Sequence, residues 1–215
     1  MTNAVARPAT TPSTAVHPLA APAPSTRHIN TDRVAELVSQ LLVELGEDPA
    51  REGLIDTPRR VAAWWNDFLS PDDSSTATCF TESAAGDQLV VVGGMSVWSL
   101  CEHHLLPMNL QVTAGYVPEG EVVGLSKFGR IAQRHAAQLH VQERFTWQIA
   151  QELATLTGRE DVAVAVRGTH LCMSMRGVRM EAARTLTMHS GGRFRTDAVL
   201  SQQFLVFATS QIGGK

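Results

Sequence analysis

Two short clusters of metal-binding side chains stand far apart in this chain. The first is Cys101-Glu102-His103-His104, and the second is His170-Leu171-Cys172. Thiolate and imidazole are the ligands that zinc prefers, and a catalytic zinc site takes three protein ligands and leaves one position open. Cys101 and His104 can meet within one turn of chain, whereas Cys172 can join them only through tertiary folding.

The two clusters offer more ligands than a catalytic metal needs. The run from Val162 to Met173 predicts a strand, and alternate side chains of a strand share one face, so His170 and Cys172 are expected to reach the same space. If two thiolates and one imidazole hold zinc, two imidazoles remain for proton transfer. A closed structural zinc with four ligands is the alternative. It would typically show Cys-x-x-Cys knuckles, which this sequence lacks.

Basic side chains accompany both clusters. The segment Gly124-Leu125-Ser126-Lys127 is predicted to begin a helix with Ser126 as its N-cap, and backbone N–H groups at a helix start suit phosphate oxygens. Lys127, Arg130 and Arg134 share one face of that helix, although their spacing alone favours a solvated face. Further basic residues are Arg60, Arg176, Arg179 and Arg184. A basic cluster beside a metal site in an acidic chain indicates a small phosphorylated substrate.

The dipeptide Gln142-Glu143 opens the next predicted helix. A carboxylate at this position can complement the positive end of the helix dipole. It can also accept hydrogen bonds from a base such as guanine, so both interpretations of Glu143 stay open.

The elements that must position these residues fall into two parts. Residues 29–86 predict an N-terminal helical segment, with one helix capped by Thr31, a second starting at Thr57-Pro58, and a polar surface loop over 70–86. Residues 87–215 predict the core in the order β-β-α-α-β-β, with a bend at Gly93-Gly94. The run from Leu110 to Val117 predicts a half-buried strand, with Leu110, Val112, Ala114 and Tyr116 on one face. The first core helix is expected to run from Ser126 to about His140, and the second, from Val141 to Leu156, to end before Gly158. Two hairpins separated by two helices predict an α+β fold, an antiparallel sheet with helices on one face.

Bulk composition limits the function classes. The chain has 215 residues, 44% of them apolar, and a net charge of -3, which suits one domain plus an appendage and excludes general nucleic-acid affinity. No apolar run reaches the roughly 20 residues of a membrane span, and we expect no secretory signal. Residues 1–28 are rich in Ala, Pro and Thr and predict a disordered tail, with a transit peptide as the minority alternative. Three cysteines, two with a metal role, predict a cytoplasmic setting.

Six segments of this chain together resemble the GTP cyclohydrolase I family. They occur in the family's order across about residues 31–210, and that order makes the match specific. The segments are Thr57-Pro58-Arg59-Arg60, Cys101-Glu102-His103-His104, Gly115-Tyr116-Val117-Pro118, Gly124-Leu125-Ser126-Lys127 with Arg130, Val141-Gln142-Glu143-Arg144, and Thr169-His170-Leu171-Cys172 through Arg176-Gly177-Val178.

The resemblance implies a reaction and an architecture. The reaction converts GTP to 7,8-dihydroneopterin triphosphate and formate, the entry step to folate or tetrahydrobiopterin, with zinc-activated water attacking C8 of guanine. The fold is the tunnelling fold, in which sheets from several subunits close a barrel and two pentameric rings stack into a homodecamer. Sites then form at subunit interfaces, and barrel closure would cover the sheet edges.

The resemblance also implies roles for individual residues. Zinc would be held by Cys101, His104 and Cys172, while His103 and His170 would move protons, because imidazole titrates near the working pH. The remaining residues with implied roles are Ser126 in catalysis, Gln142 and Glu143 at guanine, and Lys127, Arg130, Arg176 and Arg60 at the triphosphate or ribose.

The chain departs from the family's pattern at several positions. Ala63 stands where some relatives carry a lysine for phosphate, which predicts weaker triphosphate binding or another basic residue in its place. The segment Thr185–Ser190 matches the family strand only loosely, and His189 within it is expected to be a surface or packing residue. Cys79, in the predicted loop, has no assigned role.

Three alternatives compete with this function. The same reaction could feed a deazapurine or specialised pathway, which the sequence does not separate. A catalytically silent subunit that binds zinc and nucleotide is disfavoured because His103, His170 and Glu143 are all present. A pterin synthase of the same fold is disfavoured because its zinc site would be expected to use three histidines.

Overall fold

The computed structural model describes residues 28–70, 78–81 and 88–210. The predicted tail, apart from residue 28, lies outside the described residues, as does most of the loop predicted over 70–86. The division into a tail, a helical segment and a core therefore stays a prediction. Within the described part of the chain, no helix combines the length and apolar character needed to cross a membrane.

Two helices, α1 and α2, form the N-terminal segment and pack against each other. Helix α1 spans Thr31–Glu44, and its N-cap is Asn30, whose side chain accepts a hydrogen bond from the Arg33 backbone N–H at 2.9 Å. The prediction of Thr31 as the N-cap was one residue late. Helix α2 spans Thr57–Phe68 and carries a proline in its first turn, as predicted.

A five-stranded sheet forms the core. Its strands are β2 Val90–Cys101, β3 Pro107–Tyr116, β5 Leu139–His140, β6 Val162–His170 and β7 Thr185–Ser190. Their order across the sheet is β5-β2-β3-β6-β7. Strands β2, β3, β6 and β7 pair antiparallel, which confirms the predicted pair of hairpins. The short β5 adds to the β2 edge in parallel.

A β-bulge interrupts β2 at the glycine pair that the sequence marked as a bend. The register with β3 shifts between Val92 and Met95, and Gly94 adopts a φ of 71°, a conformation that side chains disfavour. The bulge lets a long strand bend while both of its halves stay paired with β3.

The main core lies between the sheet and two helices, α3 (Leu125–Ala136) and α4 (Gln142–Thr157). The predicted inward face of β3 is confirmed, because every second side chain from Leu110 to Tyr116 is at most 1% exposed. The strand is not half-buried as predicted, since Thr113 and Gly115 on its other face are buried as well. Two further helices, α6 (Arg193–Thr196) and α7 (Ala198–Ser210), supply Phe194 and Phe204 to a smaller cluster with Ala163 and Ala165. Since neighbouring residues of β6 point to opposite faces, this cluster lies on the other face of the sheet. The predicted placement of helices on one face therefore holds for α3 and α4 but not for α6 and α7.

Several predicted boundaries need correction. Ser126 is not an N-cap, because α3 starts at Leu125 with Gly124 in the cap position. This helix ends at Ala136 and not near His140, since Leu139–His140 pairs with β2. Strand β6 ends at His170, and Leu171–Ser174 form a short helix, α5, so Cys172 is not on the strand.

The predicted loop contains a strand. Cys79–Thr81 form β1, which pairs antiparallel with β4, Glu121–Val123. Cys79 therefore lies in a strand and not in a loop. Its thiol lies 3.9 Å from the Leu156 carbonyl, and burial raises its pKa.

Candidate metal centre and active site

Three side chains converge at one end of the sheet. Cys101 is the last residue of β2, His104 lies in the turn that follows, and Cys172 lies in α5. One potential ligand atom from each lies within 4.8 Å of the others. Cys101 is buried, Cys172 is half-buried and His104 is exposed, so the cluster has a protein side and an open side.

Backbone geometry brings the two sequence clusters together. The carbonyl of Cys101 accepts hydrogen bonds from the N–H of His104 at 3.3 Å and of Leu105 at 2.8 Å, and Leu105 has a φ of 54°. This tight turn folds His104 back over Cys101. Strand β3 then begins at the same end of the sheet, where Met108 pairs with His170. The chain therefore leaves β6 at His170 close to Cys101 and His104, and the second sequence cluster lies beside the first.

The donor set fits a divalent metal ion. Burial, and next the nearby Cys101, raise the pKa of the Cys172 thiol. A cation beside the Cys172 sulfur would favour its thiolate and reverse that effect. Two thiolates, one imidazole and an open side are the arrangement expected of a metal that keeps a position for water.

His170 is held by a buried glutamine. Its Nε2 lies 2.7 Å from Oε1 of Gln142, the first residue of α4, whose side chain is 1% exposed. The amide nitrogen of Gln142 donates to the Val166 carbonyl at 2.8 Å and to the Thr187 hydroxyl at 3.0 Å. Burial lowers the pKa of His170, and the Glu143 carboxylate opposes that shift. Gln142, which the resemblance places at guanine, thus turns its amide into the protein.

His103 has few constraints by comparison. It lies in the exposed turn, with its Nδ1 3.9 Å from the Cys101 sulfur. Its neighbour Glu102 contacts Arg144 of α4, which links the turn to that helix. Glu143 is exposed at the start of α4 and is accessible to a ligand.

Buried His140 lies behind this end of the sheet and is 0% exposed. Its backbone carbonyl accepts a hydrogen bond from the N–H of Glu102 at 3.1 Å, and its ring contacts the Gln148 side chain at 2.8 Å. Burial, and next the charge of Arg144, lower its pKa to about 4, so the ring is neutral at pH 7.

The residues predicted to bind phosphate are spread over the chain. Arg176 contacts the His104 ring and therefore lies at the metal cluster. Arg60, on α2, lies 3.7 Å from Asp56 and donates to the Thr57 hydroxyl at 3.1 Å. Arg134 forms an ion pair with Glu152 at 2.9 Å, which gives it a structural role between α3 and α4.

Ser126 and Lys127 lie at the opposite end of the sheet from the metal cluster. Helix α3 follows directly on β4, whose Val123 N–H donates to the Tyr116 hydroxyl at 2.8 Å, at the far end of β3. The helix then runs 12 residues, about 18 Å, toward the metal end. Ser126 is exposed, Lys127 is 7% exposed and Arg130 is half-buried. Within a single chain, Ser126 and Lys127 therefore lie far from the metal cluster.

The partners that hold the predicted residues in place were not predicted from the sequence. The missed residues are Thr146, Thr187, Gly168, Arg144 and Glu102. The only available signal was the Thr185–Ser190 segment, whose alternation predicts a strand but does not indicate which hydroxyl meets Gln142.

Comparison with known proteins settles the family. The sequence model of the family described as GTP cyclohydrolase I matches residues 34–209. The chain belongs to the GTP cyclohydrolase I family. GTP cyclohydrolase 1 of Hyperthermus butylicus is 43% identical over 81% of this chain and 89% of that protein. The corresponding values are 41%, 79% and 93% for GTP cyclohydrolase 1 of Methylococcus capsulatus, and 35%, 94% and 96% for that of Deinococcus radiodurans.

One solved structure shows a weaker likeness. The crystal structure of the archaeosine synthase QueF-Like in the apo form covers 50% of this chain with a TM-score of 0.38 and 16% sequence identity. That likeness is too weak to define the fold, which for this GTP cyclohydrolase I family member is established by its own strand order and register.

Proposed function

We propose that Cys101, His104 and Cys172 hold a zinc ion and that the residues around them carry out the cyclohydrolase reaction. The activity follows from family membership: hydrolysis of GTP to 7,8-dihydroneopterin triphosphate and formate, the first step of folate and pterin biosynthesis. The single observation that supports the metal is the convergence of two sulfurs and one imidazole within 4.8 Å, with one side open.

Each residue near the cluster has a proposed task. When bound, zinc supplies Lewis-acid activation of water near neutral pH. His170, held by Gln142, and His103, in the exposed turn, donate and accept the protons that ring opening at guanine requires. Glu143, exposed at the start of α4, accepts hydrogen bonds from the guanine base. We assign Gln142 to holding His170, because its amide already makes hydrogen bonds within the protein.

GTP turnover with and without a chelator tests this proposal directly. Purified protein is incubated with GTP, and formate and the oxidised pterin's fluorescence are both followed. We expect both products to form, to stop after chelation and to return when zinc is restored. Tightly bound zinc without turnover would instead support the silent nucleotide-binding subunit.

We propose further that the complete site combines more than one copy of this chain. Ser126 and Lys127 lie about 18 Å of helix away from the end of the sheet that carries the metal cluster. A homodecamer, as the resemblance implies, would bring the α3 start of one copy to the metal end of another. The triphosphate would then contact Ser126, Lys127 and Arg130 of one copy and Arg176 of the other, with Arg60 as a further predicted contact.

Mixing two inactive variants tests the shared site. Cys172→Ser removes a metal ligand, and Lys127→Ala removes a phosphate contact. If sites are shared, hybrids reassembled from the two variants regain part of the activity, because some sites combine an intact metal cluster with an intact Lys127. Mixtures as inactive as their components would show that each copy builds its site alone. The cytoplasmic location stays a prediction.

A further inference from the structure

Two threonines behind His170 belong to no step of the proposed reaction. They are Thr146 on α4, 2% exposed, and Thr187 on β7. We propose that Thr187, together with the backbone carbonyls around the Gln142 amide, holds that amide in the orientation that decides which nitrogen of His170 carries the proton. Thr187 is then a positioning residue for proton transfer. This inference rests on the proposed role of His170 in that transfer.

Backbone carbonyls fix the orientation of the Gln142 amide. The group at 2.8 Å from the Val166 carbonyl and 3.3 Å from the Thr185 carbonyl must be the amide nitrogen, because carbonyl oxygens only accept hydrogen bonds. The reversed amide would set its oxygen against both carbonyls. The amide oxygen therefore faces His170.

This orientation determines the tautomer of His170. The Gln142 oxygen lies 2.7 Å from Nε2 of His170 and can only accept, so Nε2 carries a hydrogen and donates it. A neutral imidazole has one N–H, which leaves Nδ1 with the free lone pair. Nδ1 is then the atom that takes up and returns a proton during turnover.

The Thr187 hydroxyl completes the set of acceptors for the amide. Thr146 donates its hydroxyl hydrogen to the backbone carbonyl of Gln142 at 2.9 Å. In the 2.5 Å contact between the two threonine hydroxyls, Thr187 is therefore the donor. The Thr187 oxygen thereby keeps its lone pairs for the Gln142 amide, 3.0 Å away. Without that hydroxyl, one amide hydrogen would have only the 3.3 Å contact to the Thr185 carbonyl.

A glycine provides the space for this arrangement. A Cβ atom at Gly168 would lie 2.0 Å from the Gln142 amide oxygen and 2.8 Å from the His170 Nε2. Only a residue without a side chain lets the amide approach the imidazole across β6. The hydrogen bond therefore depends on four elements of the fold: α4, β6, β7 and the start of α5.

Thr187→Val, which replaces the hydroxyl by a methyl group of similar size, tests the proposal. We expect kcat to fall on the order of tenfold, with KM for GTP within about twofold and zinc content unchanged. Thr187→Ser should restore most of the kcat. Thr113→Val is the matched control. Thr113 is also buried, at 6% exposure, but it pairs with Ala165 and lies on the face of the sheet opposite to Thr187.

Nitrogen-15 spectra of histidine-labelled protein give a readout that does not depend on turnover. In the wild type, the signals lost in His170→Ala should show a protonated Nε2 and an unprotonated Nδ1. In Thr187→Val the same signals should move toward a mixture of tautomers. Thr113→Val should leave them unchanged.

Several results would overturn the inference. These are an unchanged kcat in Thr187→Val, an equal loss in Thr187→Val and Thr187→Ser, loss of zinc from Thr187→Val, or a wild-type His170 protonated at Nδ1. Wild-type turnover and its loss in His170→Ala test the proposed function separately. A fully active His170→Ala would contradict that function, whereas a normal Thr187→Val beside an inactive His170→Ala would contradict the inference alone.

Discussion

The turn at Glu102–Leu105 and the end of β6 each place a histidine beside the metal cluster, but in different surroundings. In the turn, His103 is exposed and its Nδ1 lies 3.9 Å from the Cys101 sulfur. At the end of β6, His170 is half-buried and bound to Gln142, which is anchored in turn on β6 and β7. One side of the site is preorganised by the single chain, while the other depends on what binds there.

This difference has a physical basis. A buried polar group must find hydrogen-bond partners, so the start of α4 carries a network in which each amide and hydroxyl is committed. An exposed turn can bond to water and needs no such network. We therefore expect the buried side to set protonation and the exposed turn to adapt to metal and substrate.

Removing a metal ligand should have the largest effect, because the exposed turn and the buried end of β6 both contribute to the site around the metal. Cys172→Ser is expected to lose zinc and at least roughly 10⁴-fold in turnover, with the assembled fold largely intact. Metal analysis, formate release and circular dichroism measure these three properties. Cys79→Ser, in β1, is the matched control and should retain zinc and activity. A zinc-free Cys172→Ser with full activity would rule out the site.

The two histidines should differ in chemical rescue. His103→Ala and His170→Ala are each expected to lower kcat by on the order of 10²-fold or more. Added imidazole should restore activity to His103→Ala much better than to His170→Ala, because the exposed turn admits a small molecule and the half-buried position does not. Turnover against imidazole concentration measures this. Equal rescue of both variants would remove the distinction between the two sides.

His140 tests the buried side through pH. Its pKa is lowered from 6.5 to about 4 in the folded protein, so the unfolded chain binds the proton more tightly. Above pH 6.5 the ring is neutral in both states, and this titration costs the folded protein nothing. As pH falls toward 4, the unfolded chain takes up the proton first, and the free energy of unfolding decreases by at most roughly 3 kcal/mol. His140→Gln should therefore show a flatter dependence of the urea midpoint on pH across this range. If the urea midpoints of variant and wild type changed in parallel with pH, at equal protein concentration, the pH dependence would not come from His140.

The contact between the exposed turn and α4 should matter least. The Glu102 and Arg144 side chains are 32% and 22% exposed, and ion pairs this accessible to water contribute little. Glu102→Gln is expected to change the free energy of unfolding by less than about 1 kcal/mol. Urea unfolding checks the value. A loss of several kcal/mol would show that the turn is held as firmly as the buried side.

Local patterns were sufficient to predict much of the fold. The inward face of β3, the glycine bend in β2 and the end of α4 at Gly158 were all confirmed, because each reflects the period or the backbone conformation of one element. The family was also confirmed. Boundaries failed where tertiary contacts competed, as at His140, which pairs with β2 instead of extending α3.

The placement of Cys172 shows the limit of strand-face reasoning. Its spacing from His170 predicted a shared strand face, but the chain leaves β6 at His170 and turns into α5. Cys172 lies beside Cys101 because the turn from β6 into α5 places its side chain there. Thr187 shows the same limit, since its contact with Gln142 joins residues of β7 and α4 that no sequence spacing relates.

The sequence by itself determined the ligand types, the order of the elements and the family, since these depend on side-chain chemistry and local periodicity. Tertiary structure decided which atoms meet. It set Cys172 beside Cys101, turned the Gln142 amide toward His170, and placed Ser126 at the far end of the sheet. These positions follow from strand register and helix direction, which arise only when distant parts of the chain bury their apolar faces together.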